Sequence, residues 1–369
     1  MKKLRILILV SLITTLLTNT SYAGSLDKID YKSALEIAIN SSESLKTYSA
    51  KIKTAEDRYY NACSIAIDAK YKTGKSDVEQ IEYRNQELLY PIQYFNALTY
   101  LKQDNEDVIR SLKIELTDRY FTLFIINKQI DMQSKTVNNI KKELEASKLR
   151  LKTGKITDAT YENIQNNLDI EIFNLDQLRR KRLSAVIAIN SLLGYKLDSE
   201  IALTEPDIPE ININVSFDSQ QIEDLILSNQ KSDRNVKKLR DELEEAKIQL
   251  KNINENTNNR NYPGKEVLED TITNSPFKIN NALMDVDVSI RKEYNTILNL
   301  ADDVEVNKIR LEIAKKNENI AHKMYKLGSI EYSDLVSKAS QRDQAEILLL
   351  QAKLDLFIQS IKFSNYLDE

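Results

Sequence analysis

The chain has 369 residues, with 52 Lys and Arg against 56 Asp and Glu, six Gly, five Pro, one Cys, one His and no Trp. So few turn-forming residues argue against a β-sheet protein, whose tight reversals depend on them. With Cys63 and His322 alone, the chain has no pair for a disulfide, a thiolate cluster or a zinc site, and most enzyme chemistry is disfavoured. The cations are dispersed among anions, which argues against a nucleic-acid surface.

The N-terminus has the pattern of a secretory signal. Lys2, Lys3 and Arg5 precede an apolar run from Ile6 to Leu17, and Ser21–Ala23 ends in a small residue suited to cleavage. The apolar run of about twelve residues is shorter than the ~20 that a membrane-spanning helix needs. We therefore predict a signal peptide at residues 1–23 that is removed on export, rather than a membrane anchor.

A heptad seam runs from Ile109 to Leu151, where ten of thirteen positions spaced alternately three and four apart are apolar. This period predicts a long helix that winds against a partner as a coiled coil. The seam stops at Gly154, resumes near Ile164 and ends at Gly194. Residues 152–158 are therefore predicted to form the turn of a long antiparallel hairpin, with Gly154 in the left-handed conformation that ends a helix.

The same unit occurs a second time. Three pairs of segments match in order: Ala34–Ser41 with Gln221–Ser228, Pro91–Leu98 with Pro276–Leu283, and Leu151–Ile156 with Tyr325–Ile330. Asp218 and Gln221 have the spacing of a capping box, and each matched proline is expected to precede the long arm of its copy. Pro206 and Pro209 mark a partly extended connector. We predict a first repeat at 24–195, a connector at 196–217 and a second repeat at 218–369.

Two repeated hairpins in one chain imply that neither half buries its apolar face alone. Ala and other short apolar residues on several faces favour packing against more than one neighbour, and hence an oligomeric helical wall. A closed, monomeric four-helix bundle is the alternative that periodicity leaves open. Either way the predicted fold is all-α, built of long antiparallel coiled-coil hairpins with little or no β structure.

The ordered set of features resembles the outer membrane efflux proteins of the TolC family. The resemblance covers nearly all of the mature chain and is carried by Ala34–Ala38 with Asn40, Pro91, Pro276, the two glycine turns and Leu192–Gly194. It implies a homotrimer in which each chain adds long helices to an α-barrel tunnel and strands to a shared β-barrel in the outer membrane. It also implies a periplasmic adaptor protein that links the tunnel to an inner-membrane pump, ABC-type or proton-driven, with no bond chemistry and no cofactor.

The sequence departs from the family where strand pairs are expected, at Asp68–Tyr90 and Asn252–Ser275. A membrane strand needs ~9–11 residues of alternating apolar and polar character. Residues 71–80 lack this alternation, and residues 254–261 are polar throughout. We therefore expect the barrel to be shortened or missing, and insertion into an outer membrane is in doubt.

The resemblance also suggests the functional residues. Adaptor docking falls on the two turns, at Lys152, Gly154, Ile156, Lys326, Gly328 and Ile330. Tyr325 and Asp334 match positions that gate the closed tunnel entrance in the family. The alternatives stay open: any helical hairpin needs a turn glycine, and Asp334 is also placed to stabilise the start of its own helix.

These observations predict an exported duct component of an efflux or secretion system, located in the cell envelope. The alternative is an extracytoplasmic coiled-coil spacer or adhesin without a lumen. An enzyme is disfavoured, and because the chain has no Gly-rich phosphate loop, the energy for transport must come from a partner.

Overall fold

The computed structural model of the chain describes residues 28–205, 217–256 and 262–367. The predicted signal peptide, Pro206 and Pro209 of the predicted connector, and residues 257–261 lie outside these ranges. The described chain is all-α: it contains no β-strand, and its extended pairing is an isolated parallel bridge between Ile29 and Leu203. The expected fold class is confirmed.

Nine α-helices follow one another in the described ranges. They are α1 (Tyr31–Ser41), α2 (Glu43–Ala69), α3 (Asp77–Arg84), α4 (Tyr90–Lys152), α5 (Asp158–Leu193), α6 (Ser219–Ser232), α7 (Arg234–Asn256), α8 (Lys265–Lys326) and α9 (Tyr332–Phe363). A π-helical turn at Asn85–Leu89 joins α3 to α4, and a 3₁₀ turn at Ser364–Tyr366 follows α9. The helices α4 and α8, with 63 and 62 residues, are each about 95 Å long at ~1.5 Å per residue.

Side-chain caps fix several helix starts. The Asp30 carboxylate accepts the Ser33 N–H at 2.9 Å and starts α1. The predicted capping box is present at α6: Asp218 accepts the Gln221 N–H at 2.8 Å, and the Gln221 side chain accepts the Asp218 N–H at 2.9 Å. Such reciprocal bonds satisfy donors that have no partner within the helix.

The two prolines do not occupy equivalent places, which corrects one expectation. Pro91 lies in the first turn of α4, where its missing N–H costs nothing. Pro276, however, lies inside α8, which begins eleven residues earlier at Lys265. The helix continues through Pro276, where the neighbouring Ser275 is buried and Ile279 packs against buried apolar residues. The described parts of both windows expected to hold strand pairs are helices and turns instead.

The long helices form one open layer. At the end of the layer that contains the turns from α4 to α5 and from α8 to α9, the helices lie in the order α5, α4, α9 and α8. At the other end, α2 packs beside α4, and α7 packs beside α8. Within the described residues, the edge helices α5 and α8 do not pack against each other. A closed four-helix bundle requires that contact, so the bundle alternative is wrong.

Each half of the chain has its own apolar core near the middle of the layer. In the first, Ala34 and Ala38 of α1 pack on Leu116 of α4 and Ile189 of α5. In the second, Ile222 and Ile226 of α6 pack with Val236, Ile290 and Leu356. The short helices α1 and α6 thus pack in corresponding places, α1 on α4 and α5, and α6 on α7 and α8.

Polar side chains join the first half of the chain to the second half where α4 runs beside α7. The Tyr100 hydroxyl donates to Asp241 at 2.5 Å, and Asn96 donates to Glu245 at 2.9 Å. Burial and the Asp241 carboxylate together raise the pKa of Tyr100 well above its usual value. Further along, the buried Asn252 amide donates to Asn85 of the π-helical turn at 2.9 Å. These bonds fix the position of α7 along α4 and the π-helical turn that precedes it.

Candidate functional site

The first hairpin turn is a Schellman motif closed by glycine. Gly154 has φ of 68°, its N–H donates to the Leu151 carbonyl at 2.9 Å, and the Lys155 N–H donates to the Arg150 carbonyl at 2.8 Å. These bonds satisfy the last carbonyls of α4, and a left-handed residue is required at this point. Thr157 then caps α5 by accepting the Thr160 N–H at 3.2 Å.

The second turn repeats this backbone almost atom for atom. Gly328 has φ of 70°, its N–H donates to the Tyr325 carbonyl at 2.9 Å, and the Ser329 N–H donates to the Met324 carbonyl at 2.9 Å. Nothing lies within 4 Å of a Cβ placed on either glycine. The need for glycine therefore comes from backbone conformation and not from crowding.

The side chains on the two turns differ. Leu327 occupies the last position before the second glycine and is 81% exposed, the highest value among the large apolar side chains of the described chain. The equivalent position in the first turn is Thr153, whose hydroxyl bonds the carbonyls of its own helix. Lys152 and Lys326 are both exposed, and Ile156 and Ile330 are both half-buried. The first turn is thus polar, and the second has an apolar point.

Asp334 has a local structural partner. Its carboxylate accepts the Glu331 N–H at 3.3 Å, in a capping box at the start of α9. The side chain is exposed, as is that of Tyr325, whose ring packs against Tyr332 with centroids 5.8 Å apart. The capping interpretation of Asp334 therefore has direct geometric support, and a gating role for Asp334 and Tyr325 stays a prediction.

The two turns lie at different heights. Antiparallel contacts between α4 and α9 bring Phe121 to Phe357 and Lys128 to Glu346. Near the second turn, the Tyr332 hydroxyl donates to Asn139 at 3.4 Å. Because α4 continues past Asn139 to Lys152, the first turn projects on the order of 10–15 Å beyond the second.

A polar groove runs over α4 between α5 and α9. It is lined mainly by small or uncharged polar side chains, among them Thr136, Asn139, Asn167, Ser337, Ser340 and Gln344. Glu143 and Glu171 add carboxylates at its sides. Beside the groove, in a pocket lined also by Met132 and Leu178, burial raises the pKa of the Asp343 carboxyl, even though Arg342 lies 2.8 Å away. The groove is thus a polar surface that is open to water.

Sequence reasoning missed three features: the exposed Leu327, the Tyr332–Asn139 contact between the hairpins, and a second apolar seam on the outer side of α8. The seam was readable, because Val306, Ile309, Ile313, Ile320, Met324 and Leu327 keep heptad spacing. The contact between hairpins was not, because no local pattern encodes which residues of two distant helices meet.

None of the helices in the described ranges combines the length and apolar character that a membrane span needs. The described residues likewise hold no group of three or more His, Cys, Asp and Glu side chains placed to bind a metal. His322, the one histidine of the chain, is exposed on α8.

No family model matches the sequence. No curated protein matches it either. Solved structures do match the fold. The outer membrane protein VceC of Vibrio cholerae has a TM-score of 0.60 at 12% identity, over 91% of this chain and 95% of VceC.

Two outer membrane channels give similar values. CmeC of Campylobacter jejuni has a TM-score of 0.59 at 11% identity, over 95% of this chain and 90% of CmeC. The open state of MtrE of Neisseria gonorrhoeae has a TM-score of 0.57 at 11% identity, over 91% of this chain and 88% of MtrE. At such identities the likeness concerns the fold, and it extends along nearly the whole of each chain.

Proposed function

We propose that this chain, which has the fold of the TolC-like outer membrane channels, is an exported duct component of an efflux or secretion system. Three copies join side by side and enclose a water-filled tunnel in the cell envelope. An adaptor protein docks on the hairpin turns and connects the tunnel to an inner-membrane pump, ABC-type or proton-driven. The chain guides cargo and performs no bond chemistry.

One observation carries the proposal: the long helices form an open layer whose two edges are unpartnered in a single copy. Exposed apolar residues follow the outer sides of both α5 and α8. A layer with two such edges is complete only when further copies cover them, and a closed ring of layers has a hollow centre. A spacer or adhesin without a lumen gives no reason for a one-layer wall.

The polar groove over α4 fits the lumen side of such a wall. Hydroxyl and amide side chains hold water and let polar cargo slide without strong binding. The opposite side of α4 carries charges of both signs, among them Asp131, Lys135, Lys142 and Glu145. We assign the groove to the tunnel and the charged side to the outside.

The hairpin turns are the proposed docking points. Both are exposed, and because every chain has two of them, a trimer presents six. Repeated weak contacts held on one frame bind far more tightly than any single one. Lys152 with Gly154 and Ile156, and Lys326 with Gly328 and Ile330, supply a positive charge beside an aliphatic group at each point.

The docking proposal is tested in the host envelope. A tagged native chain is cross-linked in living cells, and partners are identified by mass spectrometry, in parallel with a chain carrying Gly154→Pro and Gly328→Pro. We expect an adaptor protein in the native sample and its loss from the variant. The control variant is Gly264→Pro. It changes the left-handed glycine that precedes α8, at the end of this helix away from the hairpin turns, and should keep the adaptor. Equal recovery from all three chains would refute docking at the turns.

A further inference from the structure

A pocket of about 230 Å³ lies between α2 and α4, towards the end of the layer away from the hairpin turns. Its wall comes from α2, the π-helical turn and α4, and includes Arg58, Asn61, Ile65, Gln86, Tyr90 and Tyr94. An apolar cavity of ~150 Å³ is enough to bind benzene. The pocket therefore has room for a guest of one or two rings.

The pocket opens on the same side of the layer as the polar groove. Tyr94 lies a whole number of heptads before Thr136, which lines the groove over α4. Positions related in this way share one side of a helix in a coiled coil. The register holds along α4, because Tyr100, which bonds α7, and Lys128, which bonds α9, are also a whole number of heptads apart. The pocket therefore faces the side that we assign to the tunnel.

A single carboxylate holds two side chains of the pocket wall in place. Glu82 accepts a hydrogen bond from the Tyr90 hydroxyl at 2.9 Å and another from the Gln86 amide at 3.0 Å. Burial and the bond to Glu82 raise the pKa of Tyr90 to about 12, so its hydroxyl stays neutral at physiological pH. Gln86 keeps its second N–H and its carbonyl oxygen for a guest. Part of the wall is thus ordered before anything binds.

Arg58 gives the pocket a positive charge that no neighbour neutralises. Within the parts of the chain that the structure describes, its guanidinium takes part in no ion pair or hydrogen bond. By contrast, Glu56 on the same helix is paired with Lys102 of α4 at 2.9 Å. Residues 51–75 contain six cations and three carboxylates, so this region is positive as a whole. A guanidinium binds a carboxylate through two parallel hydrogen bonds, and the pocket therefore favours an anionic guest.

We propose that this pocket binds small aromatic organic anions on their way through the tunnel. Arg58 holds the anionic group, and the amides of Asn61 and Gln86 are placed for its remaining hydrogen bonds. The ring of Tyr94, which is 40% exposed, and Ile65, which is 38% exposed, supply apolar surface for a planar body. The inference rests on the proposed function and names a class of cargo for it.

Three compounds with the same ring system test the charge preference directly. Naphthoate is an anion, naphthamide is its neutral counterpart, and naphthylmethylammonium is a cation. Titration calorimetry on the purified mature protein measures the affinity of each. We expect naphthoate to bind about tenfold more tightly than naphthamide, because one charge-assisted pair distinguishes them, and the ammonium compound to bind most weakly. Raising the salt concentration should weaken the binding of naphthoate and leave that of naphthamide unchanged.

Two variants and a matched control assign the binding to this pocket. Arg58→Gln should lower the affinity for naphthoate about tenfold, to the value for naphthamide, whose own affinity should not change. Tyr94→Ala should weaken both compounds by similar factors, because both use the ring. The control is Lys53→Gln, which removes one charge from an exposed position of α2 outside the pocket. It should alter neither affinity, and circular dichroism checks that all three variants are folded.

The outcomes separate this inference from the proposed function. If the native protein binds none of the compounds, or binds all three alike, the inference is wrong, while a native mass of three copies leaves the duct proposal intact. Equal losses in Arg58→Gln and Lys53→Gln would show a general effect of charge and refute the pocket. Selective binding of naphthoate by a protein with the mass of one copy would overturn the cargo assignment together with the duct proposal.

Discussion

The two hairpin turns share one backbone and present two surfaces. Both close with a left-handed glycine and the same pair of backbone hydrogen bonds, and the bond that the glycine N–H donates is 2.9 Å long in each. Yet one turn exposes Thr153 and projects further, whereas the other exposes Leu327 and is tied to α4 through Tyr332. The comparison shows that helix termination fixes the backbone, while the side chains around the glycine remain free to specialise.

The largest effect is expected from proline at the turn glycines. Pro is held near φ of about −65° and lacks an N–H, so it can neither adopt the left-handed conformation nor donate to the helix end. Gly154→Pro and Gly328→Pro should each destabilise their turn by ~3 kcal/mol or more. Hydrogen exchange in the last two turns of α4 and α8 measures this loss. Equal losses are expected because the motifs match, and a clear difference would contradict their equivalence.

A smaller loss is expected at the helix starts that follow the turns. Thr157→Ala removes a side-chain cap from α5 and should cost ~1 kcal/mol. Asp334→Ala removes the carboxylate that accepts the Glu331 N–H at the start of α9, and should cost ~0.5–1 kcal/mol. Hydrogen exchange in the first turn of each helix reports both values. If Asp334→Ala stabilises α9, the capping interpretation is wrong.

Exchanging the side chains of Thr153 and Leu327, which differ between the two turns, should leave the free energy of unfolding nearly unchanged. Leu327→Thr and Thr153→Leu alter exposed positions, where substitutions usually change the free energy of unfolding by less than ~0.5 kcal/mol. If the apolar point of the second turn contributes to adaptor docking, Leu327→Thr should reduce cross-linking and Thr153→Leu should not. Matching reductions would mean that the two turns dock alike in spite of their different chemistry.

The smallest effect is expected at Asp343, which occupies in the second hairpin the position of Asp169 in the first. Because burial raises the pKa of Asp343, the folded protein holds this proton more firmly than the unfolded chain, and stability falls as pH rises through the raised pKa. Asp343→Asn should therefore stabilise the protein at neutral pH, with a gain that disappears in acid. Thermal unfolding across pH measures it, with Asp169→Asn on the exposed face as the control. A gain that persists in acid would contradict this cause.

The sequence was enough to predict the hairpins, because heptad spacing and two glycines are local signals. Gly154, Gly194 and Gly328 all have the left-handed conformation expected of helix ends. The start of α8 was misplaced, since the rule that proline opens a helix failed at Pro276, where packing on neighbouring helices overrides it.

The arrangement of the hairpins was not predictable in the same way. An open layer and a closed bundle need the same apolar periods, and only the relative positions of α5 and α8 distinguish them. The offset between the two turns likewise depends on which residues of α4 and α9 meet. At the turns, the left-handed glycines could be predicted from the sequence, whereas the exposure of Leu327 depends on how the neighbouring helices pack. A docking role for the glycines and their lysines stays a prediction.

Imaging of the mature protein tests most directly whether open layers join to enclose a hollow. Particles in solution should show three copies in a ring, with a continuous water-filled channel lined by the groove over α4. A solid particle, or a single copy whose α5 and α8 edges have closed on each other, would contradict the account.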